Sequence, residues 1–383
     1  MQLAAALGSV LVYTNMGPAA RAAWTEALSI AESIDDADYK LRSLWGLWVD
    51  SLNHGAFQEA VALAQRFYDT ATPLVDTADA LLGDRMVGIA LHFLGDQLDA
   101  RRHIDRMLGS YVTPIHAAHI VRFQFDQRVT ARAFQARCLW LLGLPDQALR
   151  AIESSVEEAR AIGHVLTFCN VLGQGACPVA LWSGDLTAVD GYLDMLLEQS
   201  ASHTLGLWHA WGQCFRGIVL IRRGDNKAGL HALRSVLAEV PEIRSLPRYL
   251  GLLGELATAM GRAGEVVQAL ETIEGAIGRS ENRQERWCLP ELLRIKGELV
   301  LQENAPNAEL TASTYFHRAL DLAIEQAALS WQLRAATSLA RLQRDQSNVE
   351  DARNLLRPIY TRFTEGFATR DLTEAKRLLD LLA

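Results

Sequence analysis

The stretch HGAFQEA, residues 54–60, decides how this chain is read. It sets a glycine five residues ahead of an alanine, between two segments whose apolar residues recur with helical spacing. The same pair returns as Gly17 and Ala22, Gly95 and Ala100, Gly143 and Ala148, and Gly264 and Ala269. Gly184 and Gly224 carry the alanine one place earlier, at Ala188 and Ala228. From Gly17 to Gly264 the glycines are spaced by 38, 40, 48, 41, 40 and 40 residues. Ser347 and Ala352 keep the pattern without glycine, and a further unit turns near Asn304, beside the insertion ENAPNAEL.

A second regularity is independent of the first. Seven residues before each turn stand Gly88, Ala136, Cys177, Gly217, Ala257, Gly297 and Ala340, all small; Trp48 and Val10 are the exceptions. A small residue there lets a partner helix come close. The turn glycine ends a helix by entering the left-handed region without steric cost. The unit is therefore helix, short turn, helix, with a period of about 40 residues. One such hairpin cannot cover its own apolar face, whereas stacked neighbours can. The expected fold is all-α: a tetratricopeptide-like α-solenoid, a right-handed superhelix of about nine hairpins over residues 1–383. The longest gap holds YVTPIHAAHIVRFQFD, so residues 110–126 are expected as an inserted loop or short helix. At the other end, TEGF stops a helix at Gly366. Asp371 and Glu374 then read as a D-x-x-E capping pattern that starts a terminal capping helix.

Composition narrows the function classes. Half of the 383 residues are hydrophobic, and the net charge is −8. The chain lacks the basic excess of a nucleic-acid binder. Five cysteines with no C-x-x-C pair argue against a disulfide framework or a zinc site, and for free thiols in a cytoplasmic protein. Residues 1–15 are apolar but lack a basic start, and read as the first helix of the array. No other segment is read as approaching 18 uncharged apolar residues, so no membrane span is expected. There is no phosphate-binding P-loop, no G-x-S-x-G and no H-E-x-x-H. GQG at 173–175 falls inside a repeat helix, and His116 with His119 lacks further ligands. No catalytic residue, metal or cofactor is expected.

Function is therefore sought on the concave face. In the tetratricopeptide register, the inward positions lie 13, 10, 6, 3 and 2 residues before each turn. Arginine fills nine of them: Arg42, Arg85, Arg137, Arg222, Arg262, Arg294, Arg334, Arg341 and Arg344. Only Glu291, Glu298 and Asp345 are acidic there. His92, Phe93, Trp45, Trp140, Trp182 and Trp211 share the register. Guanidinium groups bind carboxylates and phosphates in pairs of hydrogen bonds. The candidate binding set is Arg42, Trp45, Arg85, His92, Arg137, Trp140, Trp182, Trp211, Arg222 and Arg262. The expected partner is a protein or peptide, or an anionic small molecule; nucleic acid and membrane are not expected, and homo-oligomerisation stays open. The competing reading pairs these arginines with carboxylates of neighbouring repeats and places the tryptophans in the core.

Four segments carry a resemblance: YKLRSLWGLWVDSLNHGAFQEAVALA (39–64), ERWCLPELLRIKGELVL (285–301), ALSWQLRAATSLARLQRDQ (328–346) and PIYTRFTEGFATRDLTEAKRLLDLL (358–382). Together they resemble the C-terminal repeat region of bacterial STAND-type ATPase signalling proteins, which carry winged-helix or adenylate/guanylate cyclase domains at their N-terminus. The resemblance implies a non-enzymatic sensing and interaction module. Any ATPase or cyclase activity would belong to upstream domains. A plain scaffold without ligand response is the alternative.

Overall fold

In the computed structural model, the described residues are 3, 5–8, 18–74, 77–111, 116–240 and 249–383. Most of the first fifteen residues, the turn at Gly17 and residues 112–115 of the inserted segment lie outside them. The described residues hold twenty α-helices and no strand. Antiparallel hairpins follow one another: α1 (Pro18–Ser33), α2 (Ala37–His54), α3 (Phe57–Ala71), α4 (Thr77–Leu94) and α5 (Gln97–Ser110). The short α6 (His116–Phe123) precedes α7 (Gln127–Leu141) and α8 (Pro145–Ile162). Next, α9 (Val165–Val171) and α10 (Cys177–Ser183) form one helix interrupted by a π-helical turn, Leu172–Ala176. Then come α11 (Leu186–Ser202), α12 (Gly206–Arg222), α13 (Asn226–Glu239), α14 (Tyr249–Arg262) and α15 (Val266–Arg283). The array ends with α16 (Leu289–Glu303), α17 (Ala308–Glu325), α18 (Leu329–Asp345), α19 (Val349–Tyr360) and α20 (Arg370–Leu381). The fold is a tetratricopeptide-like α-solenoid.

Local chemistry explains the turns. Gly55, Gly95, Gly143, Gly184, Gly224 and Gly264 all have φ between 75° and 96°, and Asn304 and Ser347 take the same left-handed conformation. Each glycine N–H donates to the carbonyl three residues back, and the next N–H reaches five back, as in Ala56 N to Ser51 O at 2.8 Å. That Schellman closure satisfies carbonyls the helix would leave orphaned. Aspartates then start several second helices: Asp96, Asp185 and Asp225 accept from the N–H three residues on, at 2.9–3.1 Å.

The close-packed position is five residues after the turn. Ala60, Ala100, Ala148, Ala269 and Ala352 are fully buried there. In two units the residue that fills it is not the neighbouring alanine. Val189 and Gly229 are buried, while Ala188 and Ala228 are only half-buried. A Cβ on Gly217 would lie 3.2 Å from the Gly229 carbonyl, and one on Gly229 would lie 2.6 Å from the Gly217 carbonyl. The two helices touch backbone to backbone, so the spacing of five holds and the residue varies.

Two sequence expectations are corrected. Val165–Ser183 is an uncharged stretch of 19 residues with mean hydropathy 1.4, long and apolar enough to cross a bilayer. It lies 72% buried as the inner helix of its hairpin, which is why it tolerates no charge. The D-x-x-E pattern does not cap α20. Thr369 is the N-cap, and Asp371 and Glu374 lie inside the helix. Their carboxylates bind arginines instead, a charge-assisted contact stronger than a cap to a neutral N–H.

The solenoid coils back on itself. The Phe93 carbonyl accepts from Arg286 N–H (2.9 Å) and Trp287 N–H (3.2 Å). Ser330 Oγ donates to the Trp140 carbonyl at 2.5 Å. Gly366 N–H donates to Asp146, and Gln147 N–H donates to Glu365. The turns of the early hairpins are thus seated on the entrances of helices about 190 to 220 residues later.

Candidate functional site

The closure splits the inward register into a sealed part and an open part. In the sealed part, Trp140, Trp182, Trp287 and Trp331 pile together in tilted and edge-to-face pairs with ring centroids 5.0–6.4 Å apart. Trp140 and Trp182 end inner helices of the middle repeats; Trp287 lies in the turn just before α16 and Trp331 near the start of α18, both in late repeats. Arg137 is 1% exposed among them. Its guanidinium lies 4.8–5.7 Å from the rings of Trp287, Trp182, Phe134 and Phe93. Arg137 Nε–H donates to His92 Nε2 at 3.0 Å, and Nη1 donates to the Gln174 carbonyl, which belongs to the π-helical turn. His92 is neutral, because burial and then the Arg137 charge hold its pKa well below 6.5. Its Nδ1–H therefore donates to Gln97 Oε1 at 2.8 Å. Burial lowers Arg137 to about 10 and raises the enclosed Glu285 to about 8.

Several candidate residues are consequently interior groups. His92, Arg137, Trp140, Trp45, Trp211 and Arg85 are 0–3% exposed. Trp45 packs on Phe123 and Trp211 on Phe215. Arg85 lies over the Trp48 ring at 5.3 Å, with its pKa lowered by burial to about 10. Trp182 is half-buried within the ring stack, and Arg42 pairs with Asp38 at 2.7 Å.

The open part gathers five of the six remaining register arginines; Arg344 lies outside it, paired with Asp345 at 2.7 Å. The inner helices α12, α14, α16 and α18, with the start of α20, enclose a cleft of about 220 Å³. Arg222, Arg262, Arg294, Arg334, Arg341 and Arg370 line it, against Glu255, Glu291, Glu298, Asp371 and Glu374. Five of these six arginines occupy inward positions of the sequence register. Arg370 was not legible from it, since α20 enters the cleft from outside the repeat pattern.

The floor is a saturated ion network. Glu291 accepts from Arg294 at 2.8 and 3.0 Å and from Arg334 at 3.0 Å. Burial would raise the Glu291 pKa, but the two guanidiniums outweigh it and bring it to about 2. Arg334 also reaches Asp371 (2.6 Å) and the Trp182 carbonyl (3.1 Å), so it joins this floor to the tryptophan stack. Ser338 donates to Glu298.

The rim is different. Arg222 pairs with Glu255; Arg341 and Arg370 share Glu374 at 3.2 and 2.7 Å. Arg262 is exposed at the cleft mouth and has no hydrogen bond or ion pair among the described residues. Its pKa is lowered, first by partial burial and then by the like charges of Arg222 and Arg370, with Arg294 adding to them. Glu255 opposes this shift only in part, so a bound anion would offset the remaining repulsion among the converging guanidiniums. Among the described residues, no group of three His, Cys, Asp or Glu is placed to hold a metal.

No protein-family model matches the chain. An uncharacterized protein of Rhizobium meliloti (strain 1021) is 25% identical over 224 residues, which is 57% of this chain and 21% of that protein. The chain thus matches only about a fifth of that relative's length. Among solved structures, the Rap conjugation gene regulator of plasmid pLS20, in complex with a Phr peptide, superposes with a TM-score of 0.54 at 11% identity, covering 89% of this chain and 96% of that one. The apo form of RapI gives 0.48 at 10% identity, over 79% and 99%, and yeast Tom70 gives 0.38 at 12%, over 100% and 96%. At 11% identity the likeness to the pLS20 regulator is one of fold alone: helical hairpins stacked into a tetratricopeptide-like solenoid.

Proposed function

We propose that this chain is a non-enzymatic binding module, and that the open cleft of its late repeats takes an anionic group of a peptide or protein partner. The observation that carries this reading is Arg262, a cation with no hydrogen bond or ion pair among the described residues, in a cleft of six arginines and five carboxylates. The module serves as the sensing repeat region of a larger bacterial signalling protein. Two things support that context: the four segments that resemble STAND-type proteins, and a relative far longer than its matched part. The solved neighbour with the highest TM-score quoted above is a gene regulator with a peptide bound, which fits a peptide partner.

Isothermal titration of the full chain with hexaglutamate and with hexaglutamine tests this. Hexaglutamate should bind, more weakly as salt rises, and Arg222→Ala with Arg262→Ala should reduce its affinity at least about tenfold, the loss of one charge-assisted hydrogen bond or more. Equal binding of the neutral peptide, or an unchanged double variant, refutes the cleft.

A further inference from the structure

The chain already places an acidic segment of its own in the cleft. The repeats supply five of the six lining arginines but only three of the five carboxylates. The other two carboxylates, Asp371 and Glu374, come with Arg370 from α20, and they cut the surplus of positive charge from two to one. We infer that Glu374 is an internal competitor for the partner's acidic group, and that Arg341 and Arg370 join the binding site when it releases them. This rests on the reading of the cleft as an anion site and names the residue that sets its affinity.

The two carboxylates of α20 are held differently. Asp371 accepts from Arg334 Nε–H at 2.6 Å, and its side chain is 19% exposed. Arg334 also holds Glu291 and the Trp182 carbonyl, so withdrawing Asp371 would leave a buried guanidinium short of an acceptor. Glu374 stands on the open side. Its side chain is 34% exposed, and those of Arg341 and Arg370 are 42% and 44% exposed. Each of its oxygens takes one guanidinium: Oε2 accepts from Arg341 at 3.2 Å and Oε1 from Arg370 at 2.7 Å. Exposed pairs of this kind contribute little stability, because water screens them and ordering two long side chains costs entropy. A partner carboxylate therefore replaces Glu374 at small cost.

The exchange needs only a rotation of the Glu374 side chain. α20 is seated independently of it, by the buried Leu372, Ala375, Leu378 and Leu379 and by the hydrogen bond from Gly366 N–H to Asp146. Arg262 ties the exchange to the rest of the site. The charge of Arg370 reaches it, since Arg370 is among the groups that lower its pKa. An acidic segment seated on Arg262 is thus close to a guanidinium that Glu374 holds.

Isothermal titration of the full chain with hexaglutamate tests the inference. Glu374→Gln should bind about threefold tighter or more, the equivalent of the exposed pair it removes. Glutamine keeps the helix propensity of the position, so the melting temperature should stay close to that of the parent. Asp380→Asn removes the same charge from an exposed pair on the same helix, outside the cleft, and should bind as the parent does. Arg341→Gln should weaken binding more in the Glu374→Gln background than in the parent, because only there is its guanidinium free beforehand. Binding detected only in Glu374→Gln would also support the competitor. An affinity unchanged by Glu374→Gln, an equal gain from Asp380→Asn, or strictly additive effects of Arg341→Gln and Glu374→Gln would overturn it and leave the anion site standing. Hexaglutamate failing to bind both the parent and Glu374→Gln would overturn both.

Discussion

The tryptophan stack and the arginine cleft are built from equivalent positions of one repeat. Both use the inward face of the inner helices, both hold arginine, and both join a middle or late repeat to its neighbours. In the stack, Arg137 is enclosed by four rings and hydrogen-bonded to a neutral histidine. In the cleft, Arg262 faces water with other arginines around it. The difference arises from what the returning coil covers. The late helix entrances fall on the early and middle turns, and among the described residues nothing corresponding falls on the turns of the late repeats. The turns record the same asymmetry. A Cβ on Gly55, Gly95, Gly143 or Gly184 would meet an atom of a late repeat or of α20 at 2.6–2.9 Å, whereas one on Gly224 or Gly264 would meet nothing within 4 Å. One structural position thus serves as glue where it is covered and as a binding surface where it is not.

The sharpest way to break this contrast is to open the stack. Trp331→Ala removes a ring that contacts Trp140 and Trp182, and an indole N–H that donates to the Trp287 carbonyl at 2.9 Å. It should cost about 3–5 kcal/mol in denaturant unfolding. The double variant with Trp140→Ala should cost less than the two singles together, because the rings share a contact. Full additivity would mean that the two coils do not press on each other there.

Glu285 should show the next largest effect, and it depends on pH. Burial first, opposed by its Trp287 hydrogen bond and by Arg279, Arg283 and Arg137, puts its folded pKa at about 8, above the ordinary carboxyl value of 4.5. The folded state holds this proton where the unfolded state has lost it. Its contribution is therefore complete below pH 4.5 and is lost progressively as pH rises through 8. Glu285→Gln keeps the neutral shape and should remove a stability loss of a few kcal/mol, at about 1.4 kcal/mol per unit, between pH 5 and 8.5. Parallel Tm-against-pH curves for parent and variant would contradict a protonated Glu285.

Turn substitutions give a smaller, comparative effect. Gly264→Ala places a side chain at φ 85° in open space and should cost about 1–2 kcal/mol. Gly143→Ala has the same backbone penalty and also meets Leu329 Cδ2 at 2.6 Å, so it should cost about 1–3 kcal/mol more. Equal costs would argue against the coil contact. The smallest effect belongs to Arg262→Gln, which breaks no contact and should change stability by less than about 0.5 kcal/mol. A larger loss would reveal a structural role for the unpaired arginine.

Much of this was legible in residues. The turn glycines, the small residues seven places earlier and the alternation of helices follow from rules that act within a few residues. Five of the six cleft arginines were legible as well, because the inward register follows from helix geometry; Arg370, on α20, was not. The fate of Arg85, Arg137 and the tryptophans was not, since position on an inner face says nothing about what lies opposite. The carboxylates of α20 were misread for a related reason. D-x-x-E is a local capping pattern, and Arg334 and Arg341 outcompeted it from more than 30 residues away.

By itself the sequence determined an all-helical chain of stacked hairpins and the set of side chains that turn inward. Only the tertiary structure decided which of those side chains are sealed and which stay open. The closing contacts span about 190 residues, as from Ser330 to Trp140, and depend on small rotations summed over several repeats, which no 40-residue period encodes.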